Sequence, residues 1–297
     1  MTVKQTVLAC GAAFSFFLSA SAGQAPVRHR ILLSQYQGTG GNRLIEVSPE
    51  GKLVWEHQPP SLVVGFEVLP NGHILYAYGG NPTGAQEIDR QHNVLWNYVS
   101  KCPQTLACER LPNGNTLIGE QGPSQAVEVT PDGRVVSTVN LPTSEKPFHR
   151  QVRHVHRLAN GHVLAAMEAE GAAREVDASG KVVWEFTGLD GTFEALRLPN
   201  GNTLIAAGTQ RRVVEVTPAG KIAWELTAKD LPDLNLTWIT SLQVLRNGNL
   251  VVGNFIRGQE GHGAHAFEVT RDKRVVWKFG DHEMVKSMTM LRVLDDE

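Results

Sequence analysis

The 297-residue chain lacks the short motifs by which several large enzyme classes are recognised. It has no G-x-S-x-G nucleophile elbow, no glycine-rich phosphate loop, no H-E-x-x-H helix and no Cys/His zinc spacing. It also lacks blocks of like charge, and its formal net charge is only −2. These absences exclude the corresponding enzyme classes and argue against nucleic acid or an anionic membrane surface as the main partner.

Long hydrophobic runs are also missing, apart from one apolar stretch, VLACGAAFSFFL, at positions 7–18. That stretch is shorter than the roughly 20 residues needed to span a bilayer. It follows Lys4 and precedes the small residues ASA at 20–22, a pattern typical of a cleaved secretory signal. We therefore expect residues 1–25 to be a signal peptide and the mature protein to be periplasmic or secreted, with no membrane span. A lipoprotein box ending at Cys10 is the alternative.

Cysteine is scarce, with three residues in the whole chain. Cys10 would leave with the signal peptide, so Cys102 and Cys108 remain as an even pair. In an oxidising compartment this pair predicts a disulfide between Cys102 and Cys108. A redox-active or metal-binding pair is the alternative.

What the chain does contain is a repeat. The octapeptide LPNGNTLI occurs at 111–118 and again at 198–205. Asn-Gly pairs recur at Asn71, Asn113, Asn160, Asn200 and Asn247, in steps of 42, 47, 40 and 47 residues. Most are followed by Glu-Val or Glu-Ile, a turn and two apolar residues before Trp, as in VEVTPAGKIAWEL. With a first copy, IEVSPEGKLVWEH, the unit occurs six times.

Each unit alternates apolar and polar residues with period two, which predicts half-buried strands joined by tight turns. Four strands per unit of 40–47 residues is typical of a β-propeller blade. We therefore expect residues 26–297 to form a single all-β domain, a six-bladed β-propeller. The C-terminal SMTMLRV should supply the missing first strand of the first blade and close the ring. Seven blades or a sandwich are the alternatives.

The line N-G-N-T-L-I followed by E-V-T-P-x-G-K-x-x-W resembles the pyrroloquinoline-quinone-like propeller repeats of secreted bacterial proteins. Within that group it is similar to the arylsulfate sulfotransferase-like six-bladed propellers. The resemblance implies a sulfuryl transfer through an axial histidine, although the family's H-x-N-S and S-S-R-H stretches are absent here. A bound quinone is not expected, because the nearest match to the quinone-enzyme repeat, VDASGKVVW, departs from it in spacing and at Ser179.

Candidate site residues follow from the propeller, in which the first strand of each blade lines the axis and convergent loops form a mouth. The residues two and four positions before the Leu that precedes each turn should face this axis. They include the ionisable or polar side chains of Glu67, Glu109, His154, His156, Glu194, Gln243 and Arg292. Glu168 and Arg257 lie near the ends of second strands.

The most informative short pattern is RHVHR at 153–157. Residues two apart on a strand share a face, so the two histidines of this pattern should point the same way. His154 and His156 could act as catalytic nucleophile or base with Glu109, or bind a divalent metal together with His262 and His265. Hydrogen bonding within a polar channel is the plainer interpretation. The arginines could hold a small anionic ligand, or pair with nearby carboxylates.

Two functions therefore remain open from the sequence. The first is binding of a small anionic or polar ligand, or of a protein partner, at the axial mouth without catalysis. The second is an arylsulfotransferase-like or other transferase or lyase using an axial histidine, with or without a metal. The sequence alone does not decide whether the protein is an enzyme.

Overall fold

The computed structural model describes residues 28–38, 40–256 and 258–295. The described chain folds into six four-stranded antiparallel sheets, with two short 3₁₀ helices at Phe148–Arg150 and Pro232–Leu234. The predicted all-β, six-bladed propeller is confirmed. The N-terminal segment predicted to be a signal peptide lies outside the described residues. In the described part of the chain, no helix has the length and apolar character needed to cross a membrane.

The first three blades contain these strands, in chain order. Blade 1 holds β1 (Ile31–Gly38), β2 (Gly41–Val47) and β3 (Leu53–His57). Blade 2 holds β4 (Val63–Val68), β5 (Ile74–Gly79), β6 (Thr83–Ile88) and β7 (Val94–Val99). Blade 3 holds β8 (Gln104–Arg110), β9 (Thr116–Gln121), β10 (Gln125–Val129) and β11 (Val135–Asn140).

The remaining strands complete the ring. Blade 4 holds β12 (Val152–Arg157), β13 (Val163–Met167), β14 (Ala172–Val176) and β15 (Val182–Phe186). Blade 5 holds β16 (Thr192–Arg197), β17 (Thr203–Ala207), β18 (Arg212–Val216) and β19 (Ile222–Thr227). Blade 6 holds β20 (Ile239–Val244), β21 (Leu250–Asn254), β22 (Ala266–Val269) and β23 (Val275–Phe279). The last strand, β24 (Ser287–Val293), returns to blade 1.

Closure of the ring follows the prediction from the sequence. Strand β24 pairs antiparallel with β1, from Ile31 opposite Val293 to Tyr36 opposite Ser287. The sheet of blade 1 therefore has the order β24-β1-β2-β3, with the C-terminal strand innermost. Because the two ends of the chain share one sheet, the ring has no open blade edge at its seam.

In each repeat with an Asn-Gly pair, the turn that contains this pair contacts the Glu-Val or Glu-Ile pair that follows it. In blade 5, Gly201 takes the left-handed φ of +85° that the LPNG turn requires, which glycine adopts without strain. The turn places Asn202 so that its Nδ2 donates to Oε1 of Glu215, 2.6 Å away, in the Glu-Val landmark. The same contact joins Asn115 to Glu128 in blade 3. In blade 4 a histidine, His162, replaces the asparagine.

Three tryptophans on the outermost strands join neighbouring blades. Nε1 of Trp55 donates to the carbonyl oxygen of Arg90 in the next blade, 2.9 Å away. Trp184 donates to Pro218 and Trp224 donates to Arg271 in the same manner. These rings therefore bury apolar area between sheets while their polar edge remains hydrogen-bonded, as expected for a packing residue.

The predicted disulfide is wrong for this structure, in which Cys102 and Cys108 are both free. Cys102 precedes β8, whereas Cys108 lies well along that strand and packs between sheets. At about 3.3 Å per strand residue, the span from Gln104 to Cys108 alone is roughly 13 Å. Bridged cysteines have Cα atoms within about 7 Å of each other, so the extended strand keeps this pair apart.

Candidate functional site at the upper end of the channel

The six innermost strands, β24, β4, β8, β12, β16 and β20, surround the axis and contact one another in a ring. We call the end where these strands begin the upper end, and the end where they finish the lower end. The predicted axial residues lie in the middle and lower parts of these strands. Glu168 lies elsewhere, at the upper end, and Arg257 is not among the described residues.

The axial carboxylates and Gln243 connect neighbouring blades. Oε2 of Glu67 accepts the backbone N–H of Arg110, 2.9 Å away, and Oε2 of Glu109 accepts that of Arg157, 2.6 Å away. Farther round the ring, Glu194 accepts the backbone N–H of Leu242, and Gln243 accepts that of Val293. Each of these side chains thus satisfies a main-chain donor of the next blade, and this use is structural.

His154 is buried in the middle of the channel, with 4% of its surface exposed. Its Nδ1 donates to the carbonyl oxygen of Phe193, 2.8 Å away, which leaves Nε2 with the lone pair. Nε2 is buried and has no hydrogen-bond partner. Burial, which outweighs the opposing effect of Glu194, lowers the pKa of His154 to about 4. The imidazole is therefore neutral at pH 7.

His156 lies beside Glu109, with 3.4 Å between Nδ1 and Oε1. Burial lowers the pKa of His156, but the hydrogen bond and the charge of Glu109 raise it above the usual value. Nearby, Arg292 pairs with the fully buried Glu194 at 2.9 Å. Burial acts to raise the pKa of Glu194, yet the Arg292 charge and the other partners hold it below the usual range. The lower channel is thus a network of mutually compensated charges.

The four predicted metal ligands are not brought together. The near-parallel rings of His154 and His156 have centroids 6.4 Å apart on an innermost strand. His265 lies just before β22, two strands outward in blade 6, where it contacts the ring of His282, and His262 is exposed in the preceding loop. Across the described ranges, no three His, Cys, Asp or Glu side chains are grouped as metal ligands. The positions of these rings therefore do not support a single site with all four histidines as ligands.

The upper end holds a cavity of about 750 Å³. Its apolar wall contains Leu62 and Val64 and four aromatic side chains, Tyr36, Phe193, Trp238 and Phe255. Its polar wall contains His149, Arg150, Arg153, Glu168, Thr209, Thr237, Thr240 and Thr289. The volume and the mixture of aromatic walls with a few polar groups are typical of small-molecule sites.

Most of the cavity residues on the innermost strands lie at the same kind of irregularity in strand pairing. Each innermost strand contains a bulge, an extra residue without a partner on the next strand, at the same level of the ring. In β12, for example, Val152 pairs with Met167 and His154 with Ala166, so that Arg153 is the extra residue. The residues at this level are Val64, Leu106, Arg153, Phe193, Thr240 and Thr289. All of these except Leu106 line the cavity, so we call the six the bulge ring.

The charged part of the cavity is built around Glu168. This carboxylate is 1% exposed and accepts hydrogen bonds from Nε of Arg153 and, at 3.1 Å, from Nε of Arg150. Arg153 also lies over the ring of Phe193, 5.2 Å from its centroid. Arg150 is half exposed at the rim, beside His149. Burial is the main reason that the pKa of His149 falls below its usual value.

The floor of the cavity is apolar. Val64, Leu106 and Phe193 form a buried cluster, with Leu62 and Trp238 packed against it. His154 hydrogen-bonds to the main chain of Phe193 and does not contribute to the cavity wall. The upper cavity and the polar lower channel are therefore separate environments.

Sequence reasoning missed the bulge ring for a definable reason. Counting back two and four residues from the turn assumes strict alternation along the strand. The bulge adds one residue, so the next axial residue lies five positions before the turn Leu. Counting five back from the six leucines gives the bulge ring, but the sequence alone carries no signal of the bulge.

Comparisons with known proteins support the fold. No family model matches the chain, and no curated protein matches it. A solved protein of unknown function from Bacteroides caccae has a TM-score of 0.77 and 24% identity, covering 89% of this chain and 98% of that one. A catalytically inactive histidine-to-alanine variant of virginiamycin B lyase from Staphylococcus aureus, with quinupristin, has a TM-score of 0.58 and 12% identity over 85% of each chain. The WD40 propeller domain of Doa1 has a TM-score of 0.55 and 15% identity, covering 76% and 86%. At these identities the likeness extends to the fold alone, and this chain is a six-bladed β-propeller.

Proposed function

We propose that the protein binds a small ligand with an apolar or aromatic body in the upper cavity, without catalysing a reaction on it. The observation that carries the proposal is the bulge ring. All six innermost strands interrupt their pairing at one level, and five of the six residues at that level line one cavity. Bulges are common next to binding sites because they redirect a side chain.

The chemistry of the cavity wall supports binding over catalysis. The ionisable pair at its centre, Arg153 and Glu168, is engaged in an internal ion pair. Its threonine hydroxyls Thr237 and Thr289 donate to main-chain carbonyls. His154, whose Nε2 has no partner among the described residues, lies beneath the apolar floor. The one described histidine of the wall, His149, is hydrogen-bonded through Nδ1 to Gln104 and is not joined to a hydroxyl of the wall in any hydrogen bond between described residues. Ring surfaces suited to a ligand, in contrast, are abundant.

Export is a part of this proposal, resting on the amino-terminal sequence pattern. If residues 1–25 are a signal peptide, the protein isolated from the periplasm or medium should begin near Gly23. Amino-terminal sequencing of that fraction tests this point. Recovery of full-length protein from the cytoplasm alone would contradict it.

The binding test uses N-phenyl-1-naphthylamine, a neutral aromatic probe whose fluorescence rises in apolar surroundings. We expect saturable binding by the wild type at one site per chain. Thr209→Trp, a rim substitution, should fill the cavity mouth and weaken binding at least 10-fold. Lys221→Trp, at an exposed turn, is the matched control and should bind as the wild type does. Equal binding by both variants would contradict the proposal.

A second candidate is group transfer or elimination at His154, in line with the resemblance to arylsulfate sulfotransferase-like propellers. One observation favours it, namely the neutral imidazole of His154 with its unpartnered Nε2. The floor residue Phe193 would have to move before a substrate in the upper cavity could reach that nitrogen. Turnover of an aryl sulfate ester or another substrate that is lost in His154→Ala, with folding unchanged, would establish this candidate in place of the first.

A further inference from the structure

Two side chains near the start of β20, both of which line the upper cavity, have polar atoms without hydrogen-bond partners among the described residues. Trp238 immediately precedes β20, and Thr240 lies two residues farther on, in the bulge of that strand. Both side chains contribute to the cavity. Nε1 of Trp238 and Oγ1 of Thr240 are buried, and neither has a partner. Thr240 as a whole is 1% exposed.

The equivalent groups nearby are satisfied within the protein. Thr237 donates to the carbonyl oxygen of Phe255 at 2.7 Å, and Thr289 donates to that of Val63 at 2.9 Å. The indole of Trp224, outside the cavity, donates to the carbonyl oxygen of Arg271 at 2.8 Å. Buried polar groups are nearly always hydrogen-bonded. Trp96 Nε1 and Thr116 Oγ1 elsewhere in the described chain are also unpaired, but among the described residues with such atoms only Trp238 and Thr240 line the cavity.

Gly208 explains the position of the indole. A Cβ atom on Gly208 would lie 1.9 Å from Nε1 of Trp238, so only glycine leaves room for the ring there. The carbonyl oxygen of Gly208 already accepts the backbone N–H of Arg211, 2.9 Å away. The indole Nε1 therefore rests against the main chain of Gly208, which offers it no free acceptor.

The charged part of the cavity wall is internally neutralised. Glu168 is shared between Arg153 and Arg150, which leaves a single excess positive charge at the rim and none on the β20 side. A ligand anion would be placed at the rim, whereas the buried donors of β20 suit an uncharged oxygen. An indole N–H and a hydroxyl together match the two lone pairs of one carbonyl oxygen.

We infer that Trp238 and Thr240 determine specificity in the upper cavity by donating to an uncharged carbonyl oxygen, such as that of an amide, ester or ketone, on the ligand. This inference rests on the proposed function and names the chemistry that the cavity selects. A ligand without that oxygen would leave both buried donors unpaired and would bind more weakly.

The test compares two neutral naphthalene probes of nearly equal size. One is 6-propionyl-2-(dimethylamino)naphthalene, whose emission shifts to longer wavelength when its carbonyl accepts a hydrogen bond. The other is 6-propyl-2-(dimethylamino)naphthalene, which lacks the carbonyl. We expect wild-type protein to bind the ketone about 10-fold more tightly than the alkyl analogue, with the red-shifted emission of a hydrogen-bonded carbonyl.

Trp238→Phe and Thr240→Val each remove one donor while conserving most of the side-chain volume. Each should reduce the preference for the ketone over the alkyl probe several-fold and shift the emission of the bound ketone to shorter wavelength. The ratio of the two affinities is the readout, because loss of ring contact would weaken the binding of both probes alike. The matched controls are Thr237→Val and Trp224→Phe, whose donors are already used within the protein. They should keep the preference, and thermal unfolding of every variant verifies folding.

The outcomes separate the two proposals. Equal affinity of the wild type for both probes, or a preference that survives both substitutions, overturns the inference and leaves ligand binding in the cavity intact. Failure of both probes to bind the wild type contradicts the proposed function itself.

Discussion

His154 donates its Nδ1 hydrogen to the carbonyl oxygen of Phe193, 2.8 Å away, and so ties the buried middle of the channel to the floor of the upper cavity. The bond fixes the tautomer of His154 and keeps its other nitrogen away from the cavity. The backbone and ring of Phe193 thereby have different functions. The backbone satisfies His154, while the ring separates it from a ligand.

Acidification should destabilise the protein in part through His154. Because burial lowers the folded-state pKa to about 4, the unfolded chain binds this proton more readily below about pH 6.5. The stability linked to the neutral imidazole is complete above pH 6.5 and is lost as the pH falls toward 4. Between pH 7.5 and 5.0 the loss from His154 should be roughly 2 kcal/mol.

Urea unfolding at these two pH values measures this loss. His154→Gln should remove the His154 part of the pH dependence, and His265→Gln should remove a similar part, since burial also lowers the pKa of His265 to about 4. His262→Gln, at an exposed loop position, is the control and should leave the dependence unchanged. The same pH dependence in wild type and His154→Gln would be evidence against a buried neutral imidazole.

Removal of the Glu168 carboxylate should be costly. Glu168→Ala leaves Arg153, which is 6% exposed, as a buried cation without its partner. Loss of one partner of a buried pair typically costs about 3 to 5 kcal/mol. Asp132→Ala breaks the exposed ion pair with Arg134 and should cost far less, because water screens that pair. Chemical denaturation of the two variants should differ accordingly, and similar costs would mean that Arg153 is solvated.

Shortening the side chain of Phe193 should open the floor of the upper cavity and expose His154 beneath it. In the wild type, diethyl pyrocarbonate, which acylates neutral imidazoles, should modify His154 far more slowly than the exposed His262. Phe193→Ala should accelerate modification of His154 at least several-fold and destabilise the fold by about 3 kcal/mol. Peptide mapping by mass spectrometry identifies the modified residue. Rapid modification of His154 in the wild type would show that the Phe193 ring does not shield it from the upper cavity.

Both cysteines of the propeller should be free thiols. Unfolding in denaturant with iodoacetamide, and without reductant, should therefore alkylate Cys102 and Cys108 in full. The same treatment after reduction serves as the control and should add no further label. Alkylation of this pair only after reduction would show that the disulfide predicted from the sequence does form.

The fold could be predicted from the sequence because the residues that recur in each repeat are the ones that its turns and strand pairs require. Gly201 marks a left-handed turn, and Asn202, which follows the Asn-Gly pair of blade 5, is hydrogen-bonded to Glu215 of the Glu-Val pair. Their spacing fixes the blade, and the C-terminal strand supplies the missing first strand. The turn residues and the strand pattern of this repeat indicate the same fold. A single sequence is therefore sufficient to predict the propeller.

The cavity could not be predicted in the same way. Arg153 adjoins His154 in RHVHR, but strict alternation assigns Arg153 to the opposite side of the strand. Only the bulge, which depends on pairing with a second strand, directs Arg153 into the cavity. Likewise, the disulfide expected from the Cys102 and Cys108 spacing fails because Cys108 lies within an extended strand.

A crystal structure of the protein with N-phenyl-1-naphthylamine tests ligand binding in the upper cavity most directly. We expect one probe molecule in the upper cavity, against the rings of Phe193 and Trp238 and above the bulge ring. A probe bound in the lower channel beside His156, or only on the outer faces of the blades, would contradict it.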